Sequence, residues 1–233
     1  MSRYWAVVPA AGSGRRFGGS TPKQYLMLHG QPVMLHSIDR LCRFLPLSAC
    51  VVAISDGDQH AAQLPYAQPD KVRFVIGGAE RMDSVLAGLR ALQVEADPQD
   101  WVLVHDVARP CITQNSLSKL KNTLADDPVG GLLAVPVRDT LKRGLNGQVE
   151  HTVSREHLWQ CQTPQMFRYS LLLAALEDAV AQQRLVTDEA SAMELAGHIV
   201  RLVEGRSDNI KITYTDDLAL ASAILAAEKI TTV

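Results

Sequence analysis

The chain has 233 residues, 47% of them hydrophobic, and a formal net charge of −2. That length suits one large α/β domain with a full core, and the near-neutral charge excludes a global basic field that would draw in DNA or RNA. Four widely spaced cysteines (Cys42, Cys50, Cys111, Cys161) form no C-x-x-C pair and the seven histidines form no H-E-x-x-H, so zinc-ribbon, redox and zincin chemistry are disfavoured.

Tyr4–Pro9 reads as a short buried strand that runs into a glycine-rich loop. Val33, Leu35, Ile38 and Leu41 give helical spacing from Pro32 to Phe44, with Pro32 suited to the first turn. Ala49–Ile54 and Val72–Ile76 read as strands, the second closed by Gly77-Gly78, and Arg81–Leu92 as a helix. Trp101–His105 is a predicted strand ending at Asp106, Thr113–Leu124 a helix capped by Thr113, and Gly131–Val137 another strand. This alternation implies an α/β fold: a mixed, mostly parallel, Rossmann-like sheet wrapped by helices.

The alternation then breaks. From Arg138 to Gln162 there is no helical period; Asn146-Gly147 is a hairpin turn signal, and Val149, His151 and Val153 alternate with polar residues. The reading is a β-hairpin arm, 137–157, inserted into a single domain spanning 1–233. Helices resume at Ser170–Gln183 and Thr187–Leu195, followed by strands Ile199–Val203 and Ile210–Thr213 and a closing helix Thr215–Lys229. No apolar stretch is long enough for a membrane span, and nothing resembling a signal segment precedes the first strand, so a cytoplasmic enzyme is expected.

The loop PAAGSGRRFGGSTPKQY carries the chemistry. It fails G-x-G-x-x-G because Phe17 follows Arg16, and it fails the Walker A pattern because Ser20 stands where lysine is required. What remains is a glycine loop with Arg15, Arg16 and Lys23 close behind. Added cations suit a phosphate under attack better than an inert pyrophosphate, which favours phosphoryl or nucleotidyl transfer; a solvated turn with surface arginines is the plain alternative. Asp106, at the end of a central strand, is placed to hold Mg²⁺ with phosphate oxygens, or equally to cap a helix or pair with Arg109. Gly78 and Ser84 sit where a strand enters a helix and could read a base edge or simply cap the helix. Lys211 is flanked by Ile210 and Ile212 and projects opposite to them, as many surface lysines do.

Taken in order, PAAGSGRRFGG…PKQY, VIGGAERMDSV, VHDVARP, PVRDTLK, CQTPQMF, TDEASAMEL and EGRSDNIKIT closely resemble the 2-C-methyl-D-erythritol 4-phosphate cytidylyltransferase family over essentially the whole chain. Val107 departs from it, since the family usually has alanine there. The resemblance implies a nucleotidyltransferase fold, an arm crossing to a partner in a homodimer, and a Mg²⁺-dependent reaction. In that reaction CTP and a polyol phosphate, methylerythritol phosphate, give the cytidine diphosphate derivative and pyrophosphate. It implies that Arg16 and Lys23 stabilise the α-phosphate in the transition state, and that Arg155 and Lys211 position the attacking phosphate. It further implies that Asp106 holds the metal, that Ala10, Ala11, Gly12, Gly14, Gly78, Asp83 and Ser84 cradle CTP, and that Arg109, Thr140 and Thr187 surround the second substrate.

Two rivals remain on sequence grounds. A ribitol 5-phosphate cytidylyltransferase would share the fold and CTP loop; the TDEAS, DTLK and EGRSDNIK stretches favour methylerythritol phosphate, although TDEAS also reads as a helix start capped by Thr187. A non-catalytic nucleotide-binding regulator would keep the loop without needing Arg16, Lys23, Arg155 and Lys211 together.

Overall fold

The computed structural model describes residues 2–12 and 21–231. Its centre is a seven-stranded sheet. In chain order the strands are β1 (Tyr4–Pro9), β4 (Leu47–Ile54), β5 (Val72–Ile76), β6 (Trp101–Val104), β7 (Gly130–Pro136), β10 (Trp159–Arg168) and β11 (Arg201–Glu204). Met27–Leu28 (β2) and Gln31–Pro32 (β3) form a small hairpin, and β8 (Leu141–Leu145) with β9 (Gln148–Val153) forms a second. The sheet order is β11-β7-β10-β6-β1-β4-β5. Every pairing in it is parallel except those of β10, which runs antiparallel to both β6 and β7.

Both faces of the sheet are covered, which is why its central strands read as continuous apolar runs. Successive side chains alternate between two cores. Ala6, Val8, Cys50, Val52 and Leu103 pack under α1 (Val33–Cys42) and α3 (Gln114–Thr123), against Met34, Leu35, Ile38, Leu117 and Leu120. Trp5, Val7, Val51, Val102 and Val104 face the opposite way, onto α2 (Arg81–Ala91), α4 (Tyr169–Ala181) and α5 (Glu189–Leu195), meeting Val85, Leu89, Leu172, Leu176 and Met193. Each such leucine, isoleucine or valine contributes about 1.5–3 kcal/mol when fully buried. Helix α2 lies very close to β1: a Cβ added to Gly88 would sit 2.5 Å from Val7 Cγ1. The last helix, α6 (Thr215–Thr231), packs with the β2–β3 hairpin in a third cluster that includes Leu28, Val33, Ala221 and Leu225.

The predicted alternation is present, with three differences. Trp159–Arg168 is a strand that the sequence reading did not identify. Its outer end, Gln160 and Cys161, is exposed while Gln162–Phe167 is buried, and Pro164 interrupts it, so neither a period of two nor a uniform apolar run is visible. Ile210–Thr213 is not a strand; the segment is irregular and joins the core through Ile212 N–H to Ala108 O at 2.9 Å. Helix α5 is capped by Asp188, one residue after Thr187: the Asp188 side chain accepts from Ser191 N–H at 2.9 Å, and Ser191 Oγ completes a reciprocal capping box. The hairpin turn forms as its sequence implies, with Asn146 and Gly147 at φ +50° and +77°.

The fold creates one privileged location. Strand β1 is flanked by β4 on one side and β6 on the other, so the chain winds outward in two directions from it. Open α/β sheets bind ligands in the crevice beyond the C-terminal ends of the strands at such a reversal.

Candidate active site

A cleft of about 290 Å³ opens at that reversal. The end of β1 contributes Pro9, Ala10, Ala11 and Gly12, and the turn after β5 contributes Gly78, Ala79 and Glu80. Helix α2 adds Arg81 and Ser84, the segment after β6 adds Asp106, Val107 and Ala108, and the loop before α6 adds Lys211 and Thr213. Lys23 and Gln24 close it from the side of the glycine loop.

Local chemistry shapes each wall. Ala10 N–H extends the β1 ladder to Ala53 O at 2.7 Å, and Gly77 N–H does the same to Ile54 O at 2.7 Å. Gly77 and Gly78 are required by crowding: a Cβ on Gly77 would lie 2.8 Å from Ala11 Cβ, and one on Gly78 would lie 2.2 Å from Asp83 Cβ. Ser84 Oγ accepts from Gly78 N–H at 3.2 Å and donates to Glu80 O at 3.3 Å, which ties the turn to the first turn of α2. Lys23 stands on a single 3₁₀ turn, Lys23–Tyr25. That turn is held at both following residues: buried Gln24 donates to Ala10 O at 3.0 Å, and Tyr25 OH to Asp58 at 2.5 Å.

Asp106 is the electrostatic centre. Its Oδ1 accepts from Arg81 Nε at 3.0 Å, its Oδ2 lies 2.8 Å from Lys211 Nζ, and Arg109 Nε is 3.7 Å from Oδ2. Burial alone would raise its pKa, but Arg81, Lys211 and Arg109 together hold the carboxyl well below the usual carboxylate range. Arg81 also makes a two-pronged contact with Glu189, Nη1–Oε1 at 2.5 Å and Nη2–Oε2 at 3.1 Å. Burial opposes the Arg81 charge, yet Glu189 and Asp106 more than offset it and raise its pKa.

Behind Asp106 a neutral relay fixes the backbone. Asp106 N–H donates to Thr163 Oγ1 at 3.0 Å. The Thr163 hydroxyl then donates to His105 Nδ1 at 3.0 Å, leaving His105 Nε2–H to donate to Arg109 O at 3.1 Å. Burial lowers the His105 pKa to about 4, so the imidazole is neutral at ordinary pH, in keeping with this tautomer and with a structural role.

The predicted site residues divide. Ala10, Ala11, Gly12, Lys23, Gly78, Ser84, Asp106 and Lys211 all line the cleft. Arg16 and Gly14 lie outside the described residues. Asp83 does not line the cleft: its carboxylate accepts from Glu80 N–H at 3.1 Å in the capping box of α2, and Ala79 stands at the rim instead. Arg109 sits behind Asp106, with Nη1 donating to Asn209 O at 2.7 Å and Nη2 to Cys161 O at 3.3 Å. Thr187 is exposed beside the cap of α5, with its N–H bonded to Ser191 Oγ. Thr140 and Arg155 are exposed at the two ends of the hairpin, where Arg155 donates to Arg138 O. Sequence reasoning missed Arg81, Glu189, Gln24 and Thr213. Arg81 and Glu189 stood inside quoted motifs, but nothing in a linear pattern joins residues 108 positions apart.

In chemical terms the cleft combines glycine-edged backbone, the cations Lys23, Arg81 and Lys211, and one ionised carboxylate, Asp106, an arrangement able to receive a polyanion.

Comparison with known proteins gives one result throughout. Residues 4–227 match the family model described as "IspD: 2-C-methyl-D-erythritol 4-phosphate cytidylyltransferase". The 2-C-methyl-D-erythritol 4-phosphate cytidylyltransferase of Pseudomonas putida (strain GB-1) is 52% identical over 220 residues, 94% of each chain. That of Vibrio vulnificus (strain CMCP6) is 48% identical over 231 residues, 98% of this chain and 97% of the other. A crystal structure of the Francisella tularensis enzyme of the same name superposes with a TM-score of 0.81 at 33% identity, covering 96% of this chain and all of the other. Another, of 4-diphosphocytidyl-2C-methyl-D-erythritol synthase, reaches 0.85 at 36% identity, covering 97% and 99%. With the family model spanning the cleft, the sheet and the hairpin alike, the chain belongs to the 2-C-methyl-D-erythritol 4-phosphate cytidylyltransferase family and is a nucleotidyltransferase of isoprenoid biosynthesis.

Proposed function

We propose that the cleft holds CTP and that the phosphate of 2-C-methyl-D-erythritol 4-phosphate attacks its α-phosphorus, releasing pyrophosphate. The observation that carries this reading is the grouping of Lys23, Lys211, Arg81 and Asp106 around a glycine-edged crevice at the switch point of the sheet. The nucleophile is a phosphate monoester with a second pKa of about 6, already largely ionised at neutral pH, so no general base is needed. The work left to the protein is to bring two anions together. Gly12, Gly78 and Ser84 border the nucleotide, with Ala10 and Ala11 at its phosphates; Arg16 and Lys23 stabilise charge at the α-phosphate; Lys211 and Arg155 hold the attacking phosphate. Arg109, Thr140 and Thr187 are assigned to the acceptor side, and Asp83 serves the nucleotide only by shaping the Gly78 turn.

The residues fit a Mg²⁺ ion bound together with nucleotide. Asp106 is buried and kept ionised, and its Oδ2 faces half-buried Lys211 at 2.8 Å, with Arg109 Nε farther off at 3.7 Å. The described residues contain no cluster of three or more His, Cys, Asp and Glu, so phosphate oxygens must supply much of the coordination. When bound, the ion would neutralise charge on the triphosphate.

The hairpin of β8 and β9 is assigned to homodimerisation. Its Leu145 and Val149 are 61% and 64% exposed, apolar area suited to a partner. All four cysteines are free thiols, which suits the reducing cytoplasm. The test is pyrophosphate release with CTP and either methylerythritol phosphate or ribitol 5-phosphate. The expected outcome is turnover with the first only; preference for ribitol phosphate would reassign the substrate, and release with neither would overturn the catalytic reading.

A further inference from the structure

Arg81 belongs to none of the roles assigned above, yet its side chain makes three hydrogen bonds at the edge of the cleft. Its three donor nitrogens serve two carboxylates on different elements: Nε bonds Asp106 after β6, while Nη1 and Nη2 grip Glu189 at the start of α5. Glu189 is 1% exposed, and among the described residues its ion-pair partner is Arg81. A buried ion pair is a poor device for stability, because desolvation offsets most of the Coulomb gain and apolar replacements often do as well. Helix α5 does not need it either: its start is already fixed by the Asp188–Ser191 box and by Gln165, which bonds Asp188 at 2.9 Å and Ala190 N–H at 2.8 Å.

What the pair does achieve is directional. Glu189 fixes the guanidinium plane, and the fixed plane aims Nε at a single oxygen of Asp106. The two oxygens of Asp106 are therefore unlike. Oδ1 is held at 3.0 Å by a doubly anchored arginine; Oδ2 meets Lys211, whose side chain is 35% exposed, at 2.8 Å, and Arg109 Nε only at 3.7 Å. We propose that Arg81, braced by Glu189, is a positioning residue that fixes Asp106 through Oδ1 so that Oδ2 is presented to the divalent cation of the bound nucleotide. This rests on the assignment of the cleft to CTP and Mg²⁺. Lysine cannot replace it, since one ammonium cannot hold two carboxylates in fixed planes.

The test is CTP binding by calorimetry, without acceptor, at a series of Mg²⁺ concentrations. For Arg81→Lys the expected result is a Kd at saturating Mg²⁺ raised about tenfold or more, with less than about a twofold change when Mg²⁺ is chelated. A direct contact between Arg81 and the triphosphate would instead weaken binding to the same degree with Mg²⁺ present and with Mg²⁺ chelated, which overturns the proposal. The second measurement is a double-mutant cycle with Asp106→Asn. If Arg81 acts through Asp106, adding Arg81→Lys to Asp106→Asn costs nothing further; additive losses overturn the proposal. The paired replacement Arg81→Met with Glu189→Met removes both buried charges together, guarding against a simple loss of fold. It is expected to keep its thermal midpoint near that of the parent while losing the Mg²⁺-dependent part of CTP binding. A parent-like Mg²⁺ response in that variant overturns the proposal, as does a loss explained by unfolding alone. If the parent protein binds no CTP, the functional reading fails first and this inference with it; if the parent binds Mg²⁺ and CTP cooperatively and the variants do so equally, only the inference fails.

Discussion

At the scale of single residues, the site separates groups that must carry charge from groups that must not. Lys23 is on the charged side. It stands on a turn clamped by Gln24 and Tyr25, next to where the α-phosphate is assigned. Lys23→Ala is expected to lower kcat about a hundredfold, as for loss of one preorganised electrostatic contact, with a smaller change in KM for CTP; steady-state kinetics showing unchanged kcat and a raised KM would reduce Lys23 to ground-state binding. His105 is on the uncharged side. With its folded pKa lowered to about 4 by burial and the unfolded value near 6.5, the unfolded chain binds more protons throughout that interval. Its contribution is therefore complete above pH 6.5 and is lost as pH falls toward 4, by about 3 kcal/mol in all. Urea midpoints should fall accordingly between pH 7 and pH 4.5, and His105→Gln should flatten that slope. Asp106 acts with the same sign but only at still lower pH, since its folded pKa is depressed below the ordinary carboxylate range.

At the scale of elements, the strands and helices were legible where burial imposes a simple period. Tyr4–Pro9, Trp101–Val104 and the α1 and α3 helices were all foreseen because one face or both faces are uniformly apolar. β10 was not, because its outer end, Gln160 and Cys161, faces solvent while Gln162–Phe167 is buried in the sheet. The Lys211 segment was misread as a strand for the opposite reason: Ile210 and Ile212 alternate with it, but the segment is held by side chains. Asn209 is 1% exposed and donates to Thr163 O at 2.9 Å, and Gln162 Nε2 bonds Arg206 O at 2.8 Å. Such clamps couple residues more than forty positions apart and leave no local pattern. Asn209→Ala is accordingly expected to raise KM for the acceptor several-fold more than KM for CTP, because it loosens the approach of Lys211 while leaving the glycine edge intact. Helix α2 gives a complementary case. Gly88→Ala would press a methyl group against Val7 and is expected to cost about 1–3 kcal/mol, read as a lower urea midpoint at unchanged CTP affinity.

At the scale of the whole molecule, the cleft holds mainly residues assigned to the nucleotide. Thr140 and Arg155, assigned to the acceptor, stand exposed on the hairpin. If Arg155 serves the neighbouring subunit, co-refolding Arg155→Ala with Lys23→Ala should restore about a quarter of parent activity, since random pairing makes half the dimers mixed and each mixed dimer has one intact site. Mixed dimers without recovery would place Arg155 in its own subunit's site. The hairpin's attachment has a wider consequence. β7 leads out to it and β10 leads back, and the two stay paired at the point of departure: Trp159 is opposite Pro136, and Val137 N–H bonds Leu158 O at 3.0 Å. The sheet is thus closed before the excursion begins, and the excursion is a cassette plugged into a finished scaffold. Replacing 138–157 with a short turn should leave a folded, CTP-binding monomer that has lost its acceptor chemistry. By the same logic, a lineage could begin to exchange one alcohol phosphate for another within this surface insert, leaving the nucleotide half of the machine untouched.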